Sequence, residues 1–204
     1  IKPGSIVVDM STVGSDTAKD AATILAEKQA EFLDAPVSGG VEGAQKGTLA
    51  MMLGGGIDAF EKARPVLEAM TGRIMRMGET GSGQGAKAVN QIMAAGINQA
   101  VTEALAFGEA EGLPMDKVIE VISGGAAGNW FLQHRGLTMT QGKFEPGFKL
   151  ALHHKDLKIC KAMTDQNGSQ TQLLDMTLTD YQDLMEQGYG DEDISALYRK
   201  KRPG

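Results

Sequence analysis

Short apolar runs alternate with helical spacing through residues 1–80. Ser5–Met10 is a compact run of strand length, centred on Ile6, Val7 and Val8. Thr12–Lys28 follows with helical spacing, and Ser15 or Asp16 is the expected N-cap. Glu31–Pro36 is strand-like again, and Gly47–Leu53 is a third apolar run, ended by Gly54, Gly55 and Gly56. Asp58–Met70 predicts an amphipathic helix with Phe60, Ala63, Val66, Leu67 and Met70 on one face. Arg73–Met77 closes the series as a last short strand. Strand–helix–strand alternation of this kind predicts α/β construction.

From Gly81 onward the β signal vanishes. One long segment, opened by Lys87 after the glycine-rich run Gly81–Lys87, reads as helix to about Gly108, and Gly112-Leu113-Pro114 stops it, because proline cannot continue a helix. Further helices are predicted at Met115–Ile122, from an Asn129 cap through Thr138, at Phe148–Met163 and at Thr171–Met185, with a last turn or two at Asp193–Tyr198. The fold class is therefore α/β followed by all-α. The expected domains are 1–80 and 81–204, joined through the long helix.

The long helix carries the sharpest conflict. Val89, Ile92, Met93, Ile97, Val101, Leu105 and Phe107 read as core, yet Lys87 stands at its head. At about 100° per residue, Gln91, Ala94 and Asn98 fall within about 40° of Lys87, with Asn90 on the flank. A narrow polar stripe thus runs down a helix that otherwise belongs inside, and a buried lysine is costly unless its charge is used. Two readings stand for Lys87: a working group, or a lysine that snorkels out at a helix end.

Bulk properties narrow the field. At 42% hydrophobic and 23% charged, the 204-residue chain has the composition of a globular protein. A net charge of −6 argues against nucleic acid or an anionic membrane as partner. The one basic cluster, Arg199-Lys200-Lys201-Arg202, reads as a frayed, solvated tail. No apolar run approaches the roughly 18 residues a spanning helix needs. The single cysteine, Cys160, precludes an internal disulfide and fits a reducing cytoplasm. Ile1-Lys2-Pro3-Gly4-Ser5 reads as a turn feeding a strand, so the chain is expected to be a piece of a longer protein.

Four clusters are candidates for chemistry. In Asp34-Ala35-Pro36-Val37-Ser38-Gly39-Gly40 an apolar run delivers a serine hydroxyl and two glycines, which suits a carboxylate or phosphate but also an ordinary turn. The run Gly81–Lys87 is only loosely a phosphate loop: Ala88 stands where a P-loop needs Ser or Thr, and Ala86 where a third glycine would fall. An inter-domain hinge is the plainer account of its glycines. His153-His154-Lys155-Asp156 lies on a helix, where adjacent histidines diverge by about 100° and make poor joint metal ligands. The cluster reads as a solvated, charged face, with Lys155 and Asp156 able to reach a cleft. Trp130, after Asn129, suits a pocket wall, the core or an interface, and no metal site is expected.

Together these motifs resemble the β-hydroxyacid dehydrogenases, the family of 3-hydroxyisobutyrate dehydrogenase and tartronate semialdehyde reductase. The likeness is carried by Asp9-Met10-Ser11-Thr12, Asp34–Gly40, Gly81–Gln91 and Lys155-Asp156-Leu157. Gly124–Trp130, Pro146-Gly147-Phe148 and Gly190–Leu197 support it, in one order along the whole chain. The resemblance implies a Rossmann-type domain, of which residues 1–80 would be the later part, then a helical domain that forms a homodimer or homotetramer. It implies NAD or NADP as cofactor and a small carboxylate-bearing aldehyde or hydroxy acid as substrate. Lys87 matches the catalytic lysine, a role that requires a pKa drawn toward neutrality. Some members carry an asparagine four residues after the lysine to hold the reacting hydroxyl; here that position is Gln91 and Asn90 stands one earlier, so Asn90 is the expected amide with Gln91 as its rival. Ser38, Gly39, Gly40 and Asp156 match the substrate side, and Thr12, Phe148 and Lys155 the cofactor side. The glycine turn that cradles the cofactor's phosphates is not among these motifs, so the chain alone is expected to bind dinucleotide weakly and turn over negligibly. A glyoxylate or succinic semialdehyde reductase, a non-catalytic dimerisation module and, more weakly, a phosphate binder at Gly81–Lys87 are the alternatives.

Overall fold

The structure is a computed structural model and describes residues 1–202. The last two residues of the expected 81–204 domain lie outside the described residues. Packing divides the chain into two compact units, Ile1–Gln91 with Ile159–Ser169, and Ile92–Lys158 with Gln170–Gly204. The division falls inside the long helix, at Gln91/Ile92, where the sequence reading drew its line at residue 80.

The first unit is built on a mixed sheet. Strand β1 (Ile6–Asp9) runs parallel to β2 (Glu31–Asp34), and β4 (Leu49–Gly54) runs parallel to β5 (Thr71–Gly78). β4 is antiparallel to β2 through Asp34 and Gly54, and antiparallel to the two-residue β3 (Val37–Ser38). Helices α1 (Ser15–Ala26), α2 (Gly40–Lys46) and α3 (Ile57–Leu67) connect them. Leu33, Ala35, Met51 and Leu53 of the sheet pack with Ala59, Phe60, Ala63 and Leu67 of α3 into one core cluster. Burying each leucine or phenylalanine there contributes about 1.5–3 kcal/mol.

Three local expectations change in this unit. Val66 is 66% exposed, because α3 turns the Phe60–Ala63–Leu67 edge to the sheet and Val66 lies off it. The N-cap of α1 is Gly14 without a side-chain cap, and the Ser15 hydroxyl instead donates to the carbonyl of Gly81. The glycines after Ser38 do not merely close a turn. They open α2, with φ 133° at Gly39 and 60° at Gly40, conformations that favour glycine.

The long helix α4 (Ser82–Ala110) and helix α7 (Leu150–Asn167) contribute to both units. The second unit adds α5 (Met115–Ser123), α6 (Trp130–Thr140), α8 (Gln172–Glu186), a 3₁₀ turn (Ile194–Leu197) and α9 (Tyr198–Lys201). Asn129 caps α6 as its sequence predicts, accepting from the Leu132 N–H at 2.9 Å. Among the described residues no helix is long and apolar enough to cross a membrane.

The predicted faces of α4 are partly inverted. Val89, Met93 and Phe107, read as core, are 61%, 60% and 66% exposed. Gln91, Asn98, Gln99 and Thr102 are buried with Val101 and Leu105. Within the second unit hydrogen bonds take up the donors of these polar groups, while Asn98 Oδ1 and Gln99 Oε1 are buried without a hydrogen-bond partner. Asn98 donates to the Tyr181 hydroxyl and the Ile194 carbonyl, Gln99 to Thr177 and Asp180, and Thr102 to the carbonyl of Asn98.

The basic end is not a frayed tail either. Arg199 makes a paired bond to Glu192, Arg202 makes one to Glu109, and Lys200 meets both Asp180 and Asp183. The partners lie as far as 93 positions away in the chain, which is why the local run reads as free charge. Burial works to raise the Asp180 carboxyl, but the hydrogen bonds from Gln99 and Lys200 and the charges of Lys201 and Lys200 outweigh it and hold it below the usual carboxylate range.

Candidate active site

In the first unit the candidate residues gather beyond the carboxyl ends of β1 and β2, the edge where open α/β sheets form their ligand crevice. Ser11–Val13 follows β1, and Ala35–Gly40 follows β2. Lys87 enters from α4. It is 7% exposed, and its Nζ donates to the carbonyl oxygen of Val37 at 2.9 Å. The lysine does not snorkel out; it is tied to the residue before Ser38, so the structure brings Lys87 and the Ser38-Gly39-Gly40 segment together. A side chain at Gly39 would stand 3.2 Å from a methyl of Leu49, in a backbone conformation only glycine adopts freely.

Asn90 and Gln91 are not independent of each other. Asn90 Nδ2 donates to Gln91 Oε1 at 2.8 Å. Gln91 is 2% exposed, while Asn90 is half-buried and keeps surface to offer a ligand. Thr12 is half-buried between two residues that are both held by Gln84. Gln84 Oε1 accepts from the Val13 N–H at 3.1 Å, and its Nε2 donates to the Ser11 carbonyl at 2.9 Å.

Asp34 completes this arrangement. Its carboxylate is fully buried and accepts the backbone N–H of Gly81 at 2.8 Å and of Gln84 at 2.9 Å. Sequence reasoning gave neither Asp34 nor Gln84 a role of its own. A signal for Asp34 was present: a charged residue between Phe32-Leu33 and Ala35-Pro36 must find donors if the strand is buried. Gln84 carried no such signal, since a glutamine in a glycine-rich run is ordinary loop composition.

In the second unit Phe148 packs against His153, and Lys155 and Asp156 follow on the same helix. The Phe148 ring lies 5.3 Å from the His153 ring, and Lys155 Nζ is 2.9 Å from Asp156 Oδ1. The His153–Asp156 stretch is not the solvated face its sequence suggests: His153, His154 and Asp156 are buried, and Lys155 alone has a largely exposed side chain. Desolvation, and then the nearby Lys158 charge, lower the pKa of His154 below the ordinary imidazole value. The backbone before Phe148 is pinned by Asp193, which is 1% exposed and accepts from the N–H groups of Gly147 and Phe148 while pairing with Arg135. Trp130 is 57% exposed, stacked 4.3 Å from His134. Among the described residues, no group of three or more His, Cys, Asp or Glu side chains is placed to hold a metal ion.

Both the sequence and the fold match known proteins. Residues 1–78 match the family described as the NAD binding domain of 6-phosphogluconate dehydrogenase. Residues 81–200 match the one described as NAD-binding of NADP-dependent 3-hydroxyisobutyrate dehydrogenase. The oxidoreductase YkwC of Bacillus subtilis is 38% identical over 97% of this chain, which spans 69% of YkwC. The 2-hydroxy-3-oxopropionate reductase of Escherichia coli is 40% identical over 76% of the chain and 53% of the reductase. The solved 3-hydroxyisobutyrate dehydrogenase of Mycobacterium tuberculosis, described with L-serine, superposes with a TM-score of 0.90 at 32% identity, covering 99% of this chain and 72% of that one. Two family matches in succession and relatives at this identity settle the kinship: the chain belongs to the 3-hydroxyisobutyrate dehydrogenase family of NAD(P)-dependent 3-hydroxyacid dehydrogenases.

Proposed function

We propose that the protein interconverts a small 3-hydroxy acid and its semialdehyde with NAD or NADP, and that Lys87 is its general acid and base. One observation carries the reading: the buried Lys87 ammonium is bound to the Val37 carbonyl, directly before Ser38-Gly39-Gly40. A proton donor and a segment open to close backbone approach are thereby neighbours. The relatives point to the substrate class, since the Escherichia coli protein is named for 2-hydroxy-3-oxopropionate and the Mycobacterium tuberculosis structure is described with L-serine.

The residues after β1 and β2 fit a dinucleotide at its nicotinamide end, because they lie beyond the carboxyl ends of parallel strands and both neighbours of Thr12, Ser11 and Val13, are bonded to the Gln84 side chain. When bound, the nicotinamide supplies or accepts the hydride at the substrate carbon. Ser38 and the backbone of Gly39 and Gly40 hold the substrate carboxylate. In reduction Lys87 gives a proton from Nζ to the carbonyl oxygen; in oxidation it takes the proton back from the hydroxyl. Asn90 holds that hydroxyl, with Gln91 fixing the amide from behind. The same reading gives Thr12, Phe148 and Lys155 to the cofactor and Asp156 to the substrate.

The test is nicotinamide-linked turnover of the complete native protein on a panel of 3-hydroxyisobutyrate, L-serine, glycerate and succinic semialdehyde. Turnover on a carboxylate-bearing member that is lost in Lys87→Ala supports the reading. Turnover unchanged in Lys87→Ala removes Lys87 from it.

A further inference from the structure

The first turn of an α-helix has backbone donors with no acceptor inside the helix. At the head of α4 two of them, the N–H groups of Gly81 and Gln84, are taken by the Asp34 carboxylate. Asp34 thus does the work of an N-cap from another strand, 47 positions upstream of Gly81, and a carboxylate there also meets the positive end of the helix dipole. The space around it is closed. A side chain on Gly54 would run into Asp34 Oδ1, and one on Gly83 would lie 2.6 Å from the Asp34 carbonyl and 2.5 Å from that of Met52.

Two connections leave this point. Gln84, held at its backbone by Asp34, uses its side chain to grip Ser11 and Val13 on either side of Thr12. Lys87 follows three residues later on α4 and returns to Val37, three residues after Asp34. The chain from Asp34 to α4, to Lys87, to Val37 is therefore a closed ring of contacts, with the Thr12 loop attached through Gln84.

We propose that Asp34 and Gln84 are positioning residues that set Lys87 and the Thr12 loop relative to each other, so that the proton-transfer group and the loop assigned to the cofactor are held in one register. The proposal rests on the assignment of Lys87 and Thr12 made above. Its rival is that the node only glues α4 to the sheet.

The test uses Gln84→Met in the complete native protein, an unbranched replacement that removes both side-chain bonds and leaves the Asp34 bonds in place. Amide exchange at Val13 should rise by about tenfold or more, the loss expected when a buried bond is opened. The KM for the nicotinamide nucleotide should rise by at least about fivefold, a change that loss of packing and melting temperature alone would not produce. Gln84→Glu keeps the acceptor for Val13 and loses the donor to Ser11, so Val13 exchange should stay near wild type and the nucleotide KM should fall between the two. Asp34→Asn, close in shape, should lower kcat and change the acylation rate of the Lys87 amine. If Asp34→Asn does not fold, the Gln84 pair decides. Lower melting with unchanged nucleotide KM and kcat overturns the proposal and leaves only glue. Should Lys87→Ala abolish turnover while Gln84→Met matches wild type in KM and exchange, the node fails and the functional reading stands. Were the wild type to show no nicotinamide-linked turnover, the functional reading would fail. The node is then judged by Val13 exchange and Lys87 acylation in Gln84→Met, where no change overturns it.

Discussion

Asn98 donates its side-chain amide to the hydroxyl of Tyr181 at 2.9 Å, and both residues are completely buried. The same hydroxyl is hydrogen-bonded to His153 Nδ1, 3.1 Å away. Tyr181→Phe keeps the ring and strands two buried partners, so it should destabilise the protein by about 1–3 kcal/mol in chemical denaturation. A change below about 0.5 kcal/mol would show the network to be idle.

The same burial has a signature in alkali. Desolvation, assisted by the Asp193 and Asp180 charges against the pull of the Asn98 bond, pushes the Tyr181 phenol well above its ordinary value. Tyr198 is pushed up too, by burial and then by its bond to Glu109. A group whose folded pKa is raised contributes stability that is complete below its unfolded pKa, about 10 for tyrosine, and fades as pH climbs above it. Phenolate absorbance of these two rings should appear only with unfolding. Their smooth titration near pH 10 in the folded protein would contradict the structure.

Asp180 gives the opposite sign. Its folded pKa is lowered, so its contribution is present above the unfolded value, about 3.9, and is lost as pH falls through the folded one. Asp180→Asn should flatten the acid limb of the stability–pH curve and leave the limb above about pH 6 parallel to wild type. Equal slopes in acid for both proteins would remove Asp180 from the account.

Two glycines of one helix should behave in opposite ways. A Cβ at Gly83 meets the carbonyls of Met52 and Asp34, whereas at Gly85 nothing stands within 4 Å. Gly83→Ala should cost about 1–3 kcal/mol or prevent folding, by overpacking. Gly85→Ala should stabilise by up to about 1 kcal/mol, the ordinary helix preference of alanine. Thermal melting of the pair decides it, and a Gly83→Ala variant as stable as Gly85→Ala would refute the packing.

Lys87→Met keeps the aliphatic stem and removes the buried charge. Turnover should fall by about 10²–10⁴-fold, the usual share of a general acid–base group. Stability should not fall, because an ammonium is costly to bury. A variant that loses stability but retains turnover would make Lys87 a structural residue.

Element type and position were legible in the sequence where they rested on local pattern. The strands around Val7, Leu33, Leu53 and Ile74 and the Asn129 cap follow from period and capping chemistry, whereas a link between Lys87 and Ser38, 49 positions apart, is implied only by the family resemblance. What the sequence hid depended on distant partners. Asn98 and Gln99 are buried because α8 offers Tyr181, Thr177 and Asp180, none of which is visible from α4 itself. Arg202 is ordered because Glu109 waits for it. Helix α2 was missed because Gly39 and Gly40, read as a turn, are also the residues that admit a helix start at positive φ.

The remote capping of α4 also bears on the order in which the chain folds. A helix capped by its own neighbouring residue can begin before anything else is in place. Here the acceptor for the first turn belongs to β2, which pairs with β4 at Asp34–Gly54. Closing a loop of that length costs entropy before any contact repays it. The head of α4, with Lys87 on it, should therefore become ordered only once β2 is in place, and a lesion in β2 should appear kinetically as a slow or frayed helix start.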